Sequence, residues 1–309
     1  MRKASAFAPA TVANLGVGFD ILGLALCEPG DTVHAERVDE PGVTIAAIEG
    51  DDGKLPLEAE KNTAGVAAAS VLRTANANFG VRLTIHKGLP RASGLGSSAA
   101  SAVAAAVAVN ALLDEPLPRE DLLPACLDGE ELVSGRHADN VAPCLFGGIT
   151  LVYGIESNQI IRLPVPANLY LALVTPAVEV PTAEARAVLP QTVPLKTMVS
   201  QTAGVARLID RIHRQDVKAM AAAMEADGVI EPARAHLMPL LNEIRTAAKN
   251  AGALGLVISG AGPTLCAVCD DERTAQRVAE AMRQRYAEGG IESKVRATQV
   301  SESGALVSA

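Results

Sequence analysis

The segment Pro90-Arg-Ala-Ser-Gly-Leu-Gly-Ser-Ser98 constrains this chain most. It follows an alternating run, Val81–His86, that predicts a strand, and it precedes an Ala/Val-rich run to about Leu113 that predicts a helix. Gly94 and Gly96 allow a sharp turn and a close approach of the backbone to a ligand, because neither carries a Cβ. The start of the helix offers N–H groups without acceptors, which favour an anion. The pattern therefore predicts a phosphate cradle. The alternative interpretation is an ordinary Ser-capped helix after a Gly turn, which would show the same pattern.

Two common nucleotide loops do not fit this segment. It lacks the G-x-x-x-x-G-K-[ST] pattern and contains no lysine, and it does not have the G-x-G-x-x-G spacing of dinucleotide sites. A phosphate loop of a third type is therefore expected here.

Composition limits the partners. The 309 residues suggest two domains or one large one, and 49% of them are hydrophobic, which is ample for a core. A net charge of −8 and an aromatic content of 2% argue against nucleic acid as a partner. The apolar run Ala99–Leu113 is too short to span a bilayer, and polar residues and glycines interrupt the N-terminal segment where a signal peptide would need an apolar stretch. We therefore expect a cytoplasmic protein with no membrane partner.

Five widely spread cysteines are typical of reduced thiols. Cys266 and Cys269 form a C-x-x-C, but they lie in an apolar, strand-like run. Side chains three residues apart on a strand face opposite sides, so we expect neither a redox pair nor a zinc site there.

Strand-like and helix-like segments alternate along the chain, which indicates an α/β or α+β fold. The Pro-rich passage Leu163-Pro-Val-Pro166 is the best candidate boundary. It divides the chain into a domain of residues 1–165, which contains the Gly-rich loop at 90–100, and a domain of residues 166–309.

Three blocks together resemble a known family. Pro90-x-x-x-Gly-Leu-Gly-Ser-Ser-Ala-Ala100 is similar to the central motif of the GHMP kinases, small-molecule kinases that include galactokinase and mevalonate kinase. Pro9-Ala-Thr-Val-Ala-Asn-Leu-Gly-Val-Gly-Phe-Asp20 resembles their N-terminal motif, and Ser259-Gly-Ala-Gly-Pro-Thr264 resembles their C-terminal one. The blocks stand in the family's order and span nearly the whole chain.

Further segments resemble one branch of this family, which phosphorylates homoserine. They are Glu130-Glu-Leu-Val-Ser-Gly-Arg-His-Ala-Asp-Asn-Val-Ala-Pro143, Pro181-Thr-Ala-Glu-Ala-Arg186 and Glu231-Pro-Ala-Arg234. The resemblance implies an α+β GHMP kinase fold, with an N-terminal domain like the second domain of ribosomal protein S5 and a C-terminal ferredoxin-like domain. ATP and the acceptor would bind between them, and a homodimer is possible.

The resemblance also implies a nucleotide site. Its expected members are Pro90, Arg91, Ala92, Ser93, Gly94, Leu95, Gly96, Ser97, Ser98, Ala99, Ala100, Asn62 and Thr182. Ser98 and Glu130 would bind Mg²⁺, an ion that prefers hard oxygen ligands. Glu131 is a competing ligand, and a solvated acidic helix face is the alternative for both glutamates. Thr182 would contact the γ-phosphate or, alternatively, cap a helix.

The acceptor site would hold both charges of an amino acid. Arg186 and Arg234 suit a bidentate grip on a carboxylate. The resemblance assigns the acceptor to Asn14, Asp20, His137, Asp139, Asn140, Arg186 and Arg234, with Asp20, Thr182 and Arg186 as the catalytic members. For His137, a role in orienting the loop and a role as general base are both open.

The implied activity is ATP-dependent, Mg²⁺-assisted phosphorylation of the side-chain hydroxyl of L-homoserine, giving O-phospho-L-homoserine for threonine biosynthesis. We expect in-line attack without a dedicated side-chain base, because phosphoryl transfer rests mainly on positioning and electrostatics. The alternatives are a sibling kinase for mevalonate, a sugar or shikimate, and a nucleotide-binding protein without catalysis.

Overall fold

A computed structural model of the chain describes residues 1–308 and arranges them around two β-sheets. Within these residues the strands are β1 (Lys3–Ala13), β2 (Leu22–Val38), β3 (Gly42–Glu49), β4 (Gly80–His86), β5 (Ile149–Val152), β6 (Ile160–Leu163), β7 (Tyr170–Pro176), β8 (Gly255–Ile258), β9 (Leu265–Cys269), β10 (Ser293–Gln299) and β11 (Leu306–Ser308). The α-helices are α1 (Thr63–Thr74), α2 (Ser97–Asn110), α3 (Leu123–Ser134), α4 (Ala138–Phe146), α5 (Thr182–Ala187), α6 (Leu195–His213), α7 (Val217–Met224), α8 (Ile230–Arg234), α9 (Leu241–Asn250) and α10 (Glu272–Glu288). The predicted α+β class is confirmed.

The first sheet carries the N-terminal core. Its strand order is β11-β1-β2-β4-β3, with β5 paired to β2 and β6 paired to β5. Only β3 and β4 run parallel, and α1 connects them. Helix α2 lies beneath this sheet, and its residues from Ala99 to Val109 are all buried. Alanine and valine suit this helix because α1, α3 and α4 also pack on it, leaving little space for larger side chains.

The second sheet has the strand order β10-β7-β9-β8 and is antiparallel throughout. With the helices between its strands, this is the βαββαβ arrangement of ferredoxin-like domains. Cys266 packs into the core shared with the first sheet, whereas Cys269 packs on the opposite face, with α9 and α10. The prediction that these two thiols face opposite sides is confirmed, and both are free.

The C-terminus returns to the first sheet, where β11 pairs antiparallel with β1. The side chain of Arg119 holds this return by donating to the carbonyls of Ser303 (2.8 Å) and Ala305. The two sheets therefore do not divide the chain at one point, and the boundary after residue 165 stays a prediction. No helix within residues 1–308 is both long and apolar enough to cross a bilayer.

Candidate active site

A cleft of about 470 Å³ gathers most of the predicted site residues from both halves of the chain. The predicted residues that line it are Asn14, Asp20, Asn62, Arg91, Ala92, Ser93, Gly94, Gly96, Ser97, Ser98, Glu130, His137, Asp139, Asn140, Thr182, Arg186 and Arg234.

Four members of the predicted nucleotide site do not line this cleft. Pro90 borders a second cavity on the other side of the Gly-rich loop. Leu95, Ala99 and Ala100 are buried in the N-terminal core, because the loop and the first turn of α2 face the core on one side and the cleft on the other. The assignment of residues 90–100 to the nucleotide stays a prediction, and the buried residues among them offer only backbone groups to a ligand in the cleft.

The two glycines of the loop are required by its conformation. Gly94 and Gly96 have φ angles of +79° and +66°, which disfavour residues with a side chain. A Cβ on Gly94 would lie 2.4 Å from the carbonyl oxygen of Ser259, and one on Gly96 would lie 2.1 Å from Oγ1 of Thr11. The loop is thus packed between the N-terminal strand and the C-terminal Gly-rich turn.

Hydrogen bonds from the same neighbours hold the loop. The amide of Thr11 donates to the carbonyl of Leu95 (3.1 Å), and the hydroxyl of Ser259 donates to the carbonyl of Gly94 (2.6 Å). The three sequence motifs, which lie far apart in the chain, therefore meet at one place.

The N-terminus of α2 faces the cleft. Gly96 is its N-cap and supplies no side chain to the first turn, while Ser97 and Ser98 line the cleft. The N–H groups of a first helical turn lack intrahelical acceptors and carry the positive end of the helix dipole. The loop and this helix end together form a cradle for phosphate oxygens.

Glu130 lies on α3 with its carboxylate in the cleft wall. It is 3% exposed, and its Oε2 has no hydrogen-bond partner among the described residues. Burial raises the pKa of Glu130 to about 7, the charge of Asp139 adds to the rise, and the hydroxyls of Ser98 and Ser134 oppose it. A buried carboxylate oxygen without a partner fits a ligand for a cation.

Its neighbour Glu131 points away from the cleft. The Glu131 side chain is 59% exposed and accepts a hydrogen bond from Nη1 of Arg136 (3.1 Å). Within residues 1–308, no group of three or more His, Cys, Asp or Glu side chains is placed to hold a metal. Mg²⁺ does not need such a group, because it is held by one or two carboxylates together with substrate phosphates.

An ion pair lines another part of the cleft. Both Nη groups of Arg186 donate to the carboxylate of Asp20, at 3.0 and 2.9 Å. The side chain of Asn14 supports this pair, since its Oδ1 accepts from the amide of Asp20 (3.1 Å) and its Nδ2 donates to the carbonyl of Gly260 (2.9 Å). The buried Nε of Arg186 has no hydrogen-bond partner within residues 1–308, so its N–H is not used by the protein there.

A second arginine lies beside this pair. Arg234 is 3% exposed and is fixed by bonds from Nε to the carbonyl of Ala185 and from Nη1 to the carbonyl of Gly260, both 2.9 Å. The centroid of the Phe19 ring lies 5.6 Å from Cζ of Arg186 and 5.2 Å from Cζ of Arg234. The cleft thus presents two arginines and one carboxylate within a small region.

Three residues of the segment at the start of α4 complete this part of the cleft. Burial raises the pKa of Asp139 to about 7, the charge of Asp20 adds to the rise, and Arg186 opposes it. Burial and the charge of Arg186 hold the pKa of His137 below its ordinary value, while its Nδ1 lies 3.9 Å from Oδ2 of Asp20. Asn140 accepts a hydrogen bond from the hydroxyl of Thr11 (2.7 Å) through its Oδ1.

Thr182 and Asn62 differ in what they do locally. Thr182 is the first residue of α5, but the N-cap of that helix is Pro181, and no side chain caps it. The Thr182 hydroxyl is therefore not used as a cap. Asn62 does cap a helix, because its Oδ1 accepts from the amide of Ala64 (3.0 Å) at the start of α1.

Several lining residues were not predicted from the sequence, among them Phe19, Lys54, Lys87 and Ser101. Phe19 stands between Gly18 and Asp20 in the N-terminal block. Its place inside this motif is the one feature of the sequence that could have identified it as a lining residue. Lys87 ends an alternating strand, where a lysine is ordinarily solvated, so its burial depends on partners distant in sequence.

Comparison with known proteins identifies the class to which this cleft belongs. Residues 62–148 match the model of the GHMP kinases N-terminal domain, and residues 208–288 match that of the GHMP kinases C-terminal domain. The chain belongs to the GHMP kinase family, and the resemblance of its three motifs to that family is confirmed.

Relatives within the family carry a more specific name. A homoserine kinase of Chlorobium phaeobacteroides is 39% identical over 99% of this chain and 100% of its own length. One of Xylella fastidiosa is 42% identical over 98% of this chain and 93% of its own length. The crystal structure of homoserine kinase from Cytophaga hutchinsonii, 42% identical, superposes with a TM-score of 0.96 and covers 100% of this chain and 98% of that one.

Proposed function

We propose that this protein transfers the γ-phosphoryl group of ATP to the side-chain hydroxyl of L-homoserine, giving O-phospho-L-homoserine, a step toward threonine. One observation carries the proposal. The same cleft is lined by a phosphate cradle and by the Asp20–Arg186 pair with Arg234, so it offers groups for a nucleotide and for a small zwitterion together. The names of the full-length relatives support it.

The nucleotide end follows from backbone geometry. The amides that follow Gly94 and Gly96 would bind the phosphate oxygens, and a helix N-terminus stabilises their charge. No lysine inside the loop is required for this, because the dipole and the amides supply the positive potential.

Magnesium fits the residues beside this cradle. Ser98 Oγ and the Glu130 carboxylate would hold it, and the unpartnered buried oxygen of Glu130 is the observation that favours this assignment over Glu131. A bound Mg²⁺ ion would neutralise charge on the transferring phosphoryl group. Because the pKa of Glu130 is about 7, the residue must release a proton when it binds a cation.

The acceptor end distinguishes the possible substrates by charge. An α-amino acid carries an ammonium and a carboxylate on one carbon, which matches adjacent groups of opposite sign. Asp20 would accept from the ammonium, while Arg234 and the free Nε of Arg186 would donate to the carboxylate. Mevalonate and shikimate carry only a carboxylate and sugars carry neither charge, so each would leave Asp20 without its ligand.

Transfer would proceed by in-line attack of the acceptor hydroxyl without a dedicated base. Asp20 is held by both Nη groups of Arg186, so its carboxylate is not free to move to the hydroxyl. His137 is directed toward Asp20 and would orient this pair. Asp139, whose pKa burial raises to about 7, is the remaining carboxylate that a base-catalysed reaction would require.

The test is Mg²⁺-dependent release of ADP with L-homoserine, mevalonate, galactose and shikimate as acceptors. We expect only homoserine to stimulate ADP release. If homoserine does not stimulate it, the proposal is refuted. Glu130→Gln should abolish the Mg²⁺-dependent reaction, and Glu131→Gln is the matched control, because this adjacent glutamate lies outside the cleft. Equal loss in the two variants would refute the assignment of Glu130.

Two finer points stay predictions. A cytoplasmic location is supported by the free state of the five cysteines. A homodimer is expected from the family resemblance, and sedimentation of the purified protein would test it.

A further inference from the structure

A buried charged pair contacts both ends of the Gly-rich loop; one member, Lys87, lines the cleft, and the other, Asp31, does not. Asp31 on β2 is completely buried, and the side chain of Lys87, just after β4, is 2% exposed. The Lys87 ammonium contacts Oδ2 of Asp31 directly. Burying two charges is costly, and a pair without further hydrogen bonds would gain little over apolar side chains. The other bonds of this pair therefore indicate what it does.

The carboxylate of Asp31 holds the beginning of the loop. Its Oδ1 accepts from the amides of Gly88 (3.0 Å) and Leu89 (3.2 Å), the two residues before Pro90. The backbone of Gly88 packs against that of Gly30 in β2, since a Cβ on Gly88 would lie 2.1 Å from the carbonyl oxygen of Gly30. The start of the loop is thus fixed to β2 by one side chain.

The same pair holds the end of the loop. Nζ of Lys87 donates to the carbonyl of Ser97 (3.0 Å) and to the hydroxyl of Ser101 (2.7 Å). The Ser101 hydroxyl in turn donates to Oδ2 of Asp31 (2.8 Å). Both ends of the loop therefore meet at a single carboxylate, while Asp31 itself lines neither the cleft nor the second cavity.

We propose that Asp31 is a positioning residue that, through Lys87 and Ser101, keeps the loop in the conformation that receives the phosphates of the nucleotide. The proposal rests on the proposed use of this loop for ATP. Without Asp31 the amides of Gly88 and Leu89 lose their acceptor and the Lys87 ammonium loses its counter-charge. The loop must then become ordered before its amides can converge on a ligand. The free energy that this ordering costs weakens nucleotide binding.

The experiment measures binding of Mg²⁺·ADP by calorimetry to the unaltered protein and to Asp31→Asn. We expect the Kd to rise about tenfold or more. The one accepting oxygen of asparagine can keep the bonds from Gly88 and Leu89, but the bonds from Lys87 and Ser101 are lost and the Lys87 ammonium is left buried without a counter-charge. In steady-state kinetics the KM for ATP should rise, and the KM for homoserine should stay unchanged, because the acceptor end has no bond to this cluster.

Asn110→Ala is the matched control. Asn110 lies at the other end of α2, where its side chain makes two hydrogen bonds to the backbone of Leu117. Its removal destabilises the same helix without touching the loop, so the Kd for Mg²⁺·ADP should not change. Equal changes in Kd for Asn110→Ala and Asp31→Asn, compared at the same temperature interval below each Tm, would overturn the proposal.

Ser101→Ala decides the question if Asp31→Asn does not fold. It removes one hydroxyl between Lys87 and Asp31 and leaves the ion pair in place. We expect a rise in Kd of about threefold or more, and an unchanged Kd would refute the proposal. ADP binding needs no acceptor. If ADP binding depends on Asp31 but the protein does not phosphorylate homoserine, only the proposed function is refuted.

Discussion

Replacing Glu130 by glutamine should stabilise the ligand-free protein above neutral pH while removing its activity. Burial raises the pKa of Glu130 from 4.5 to about 7. Because the folded pKa exceeds the unfolded one, the unfolded chain loses this proton first, and stability falls as the pH rises between the two values. The penalty is absent below about pH 4 and complete above about pH 7. At about 1.4 kcal/mol for each pH unit between the two pKa values, it reaches about 3 kcal/mol.

Urea unfolding at pH 5 and pH 8 measures this penalty. Glutamine keeps the shape of the side chain and carries no charge, so the advantage of Glu130→Gln over the unaltered protein should be larger at pH 8 than at pH 5 by about 2 kcal/mol. Glu131→Gln should show no such gain, because that carboxylate is exposed and paired with Arg136.

Two results would refute the reasoning. The same free energy difference between Glu130→Gln and the unaltered protein at both pH values would mean that burial does not penalise this carboxylate. A stabilised variant with undiminished Mg²⁺-dependent activity would mean that Glu130 does not bind the cation. Opposite changes in stability and activity are expected when a binding group is held in an unfavourable environment.

Three other variants examine the rest of the cleft. Arg186→Met should lower kcat/KM for homoserine about 100-fold or more, with little change in the KM for ATP, because a charged bond to the acceptor is lost; an equal rise in both KM values would contradict this. Asp139→Asn should keep kcat at pH 8 within about tenfold of normal if no base is needed, whereas a loss of about 100-fold together with the acidic limb of the pH–rate profile would identify Asp139 as the base. Gly96→Ala should weaken Mg²⁺·ADP binding at least about tenfold, since its Cβ would lie 2.1 Å from Oγ1 of Thr11. Gly290 has a similar φ of +73°, but an added Cβ would have no atom within 4 Å, so Gly290→Ala should bind Mg²⁺·ADP normally. Weak Mg²⁺·ADP binding by Gly290→Ala would show that backbone strain, without a steric clash, is sufficient to weaken binding.

Local patterns predicted the parts of the fold that local chemistry determines. The strand before the Gly-rich loop and the helix after it form as predicted, because alternation, glycines and a continuous Ala/Val run each favour one local conformation. Helix α4 was not predicted, since it contains Pro143, which ordinarily breaks a helix. Strand β11 has three residues and exists only through pairing with β1, which lies at the other end of the chain.

The site, like the fold, combines residues that local sequence indicates with residues that depend on distant contacts. Of the two glutamates that the sequence offers as metal ligands, Glu130 lines the cleft and Glu131 is exposed to solvent, a difference that depends on how α3 packs. The pairing of Asp31 with Lys87 could not be predicted, because it depends on the register of β2 against β4, in which Thr32 faces His86. From the sequence alone, a lysine that follows an alternating strand is expected to be solvated. It is buried here because the register places the Asp31 carboxylate beside it.

The electrostatics of the cleft explain how an acidic chain binds an anionic nucleotide. Glu130 and Asp139 both have a pKa of about 7, and the charge of Asp139 contributes to the rise at Glu130. In the ligand-free state these buried carboxylates are therefore partly protonated, and they add less negative charge than their number implies. A cation that accompanies the nucleotide, or the ammonium of an amino acid, favours their ionised forms and releases protons on binding. If backbone amides bind the phosphates as proposed, the chain needs no net positive charge, and its acidic residues can serve the cationic groups that accompany the nucleotide and the acceptor.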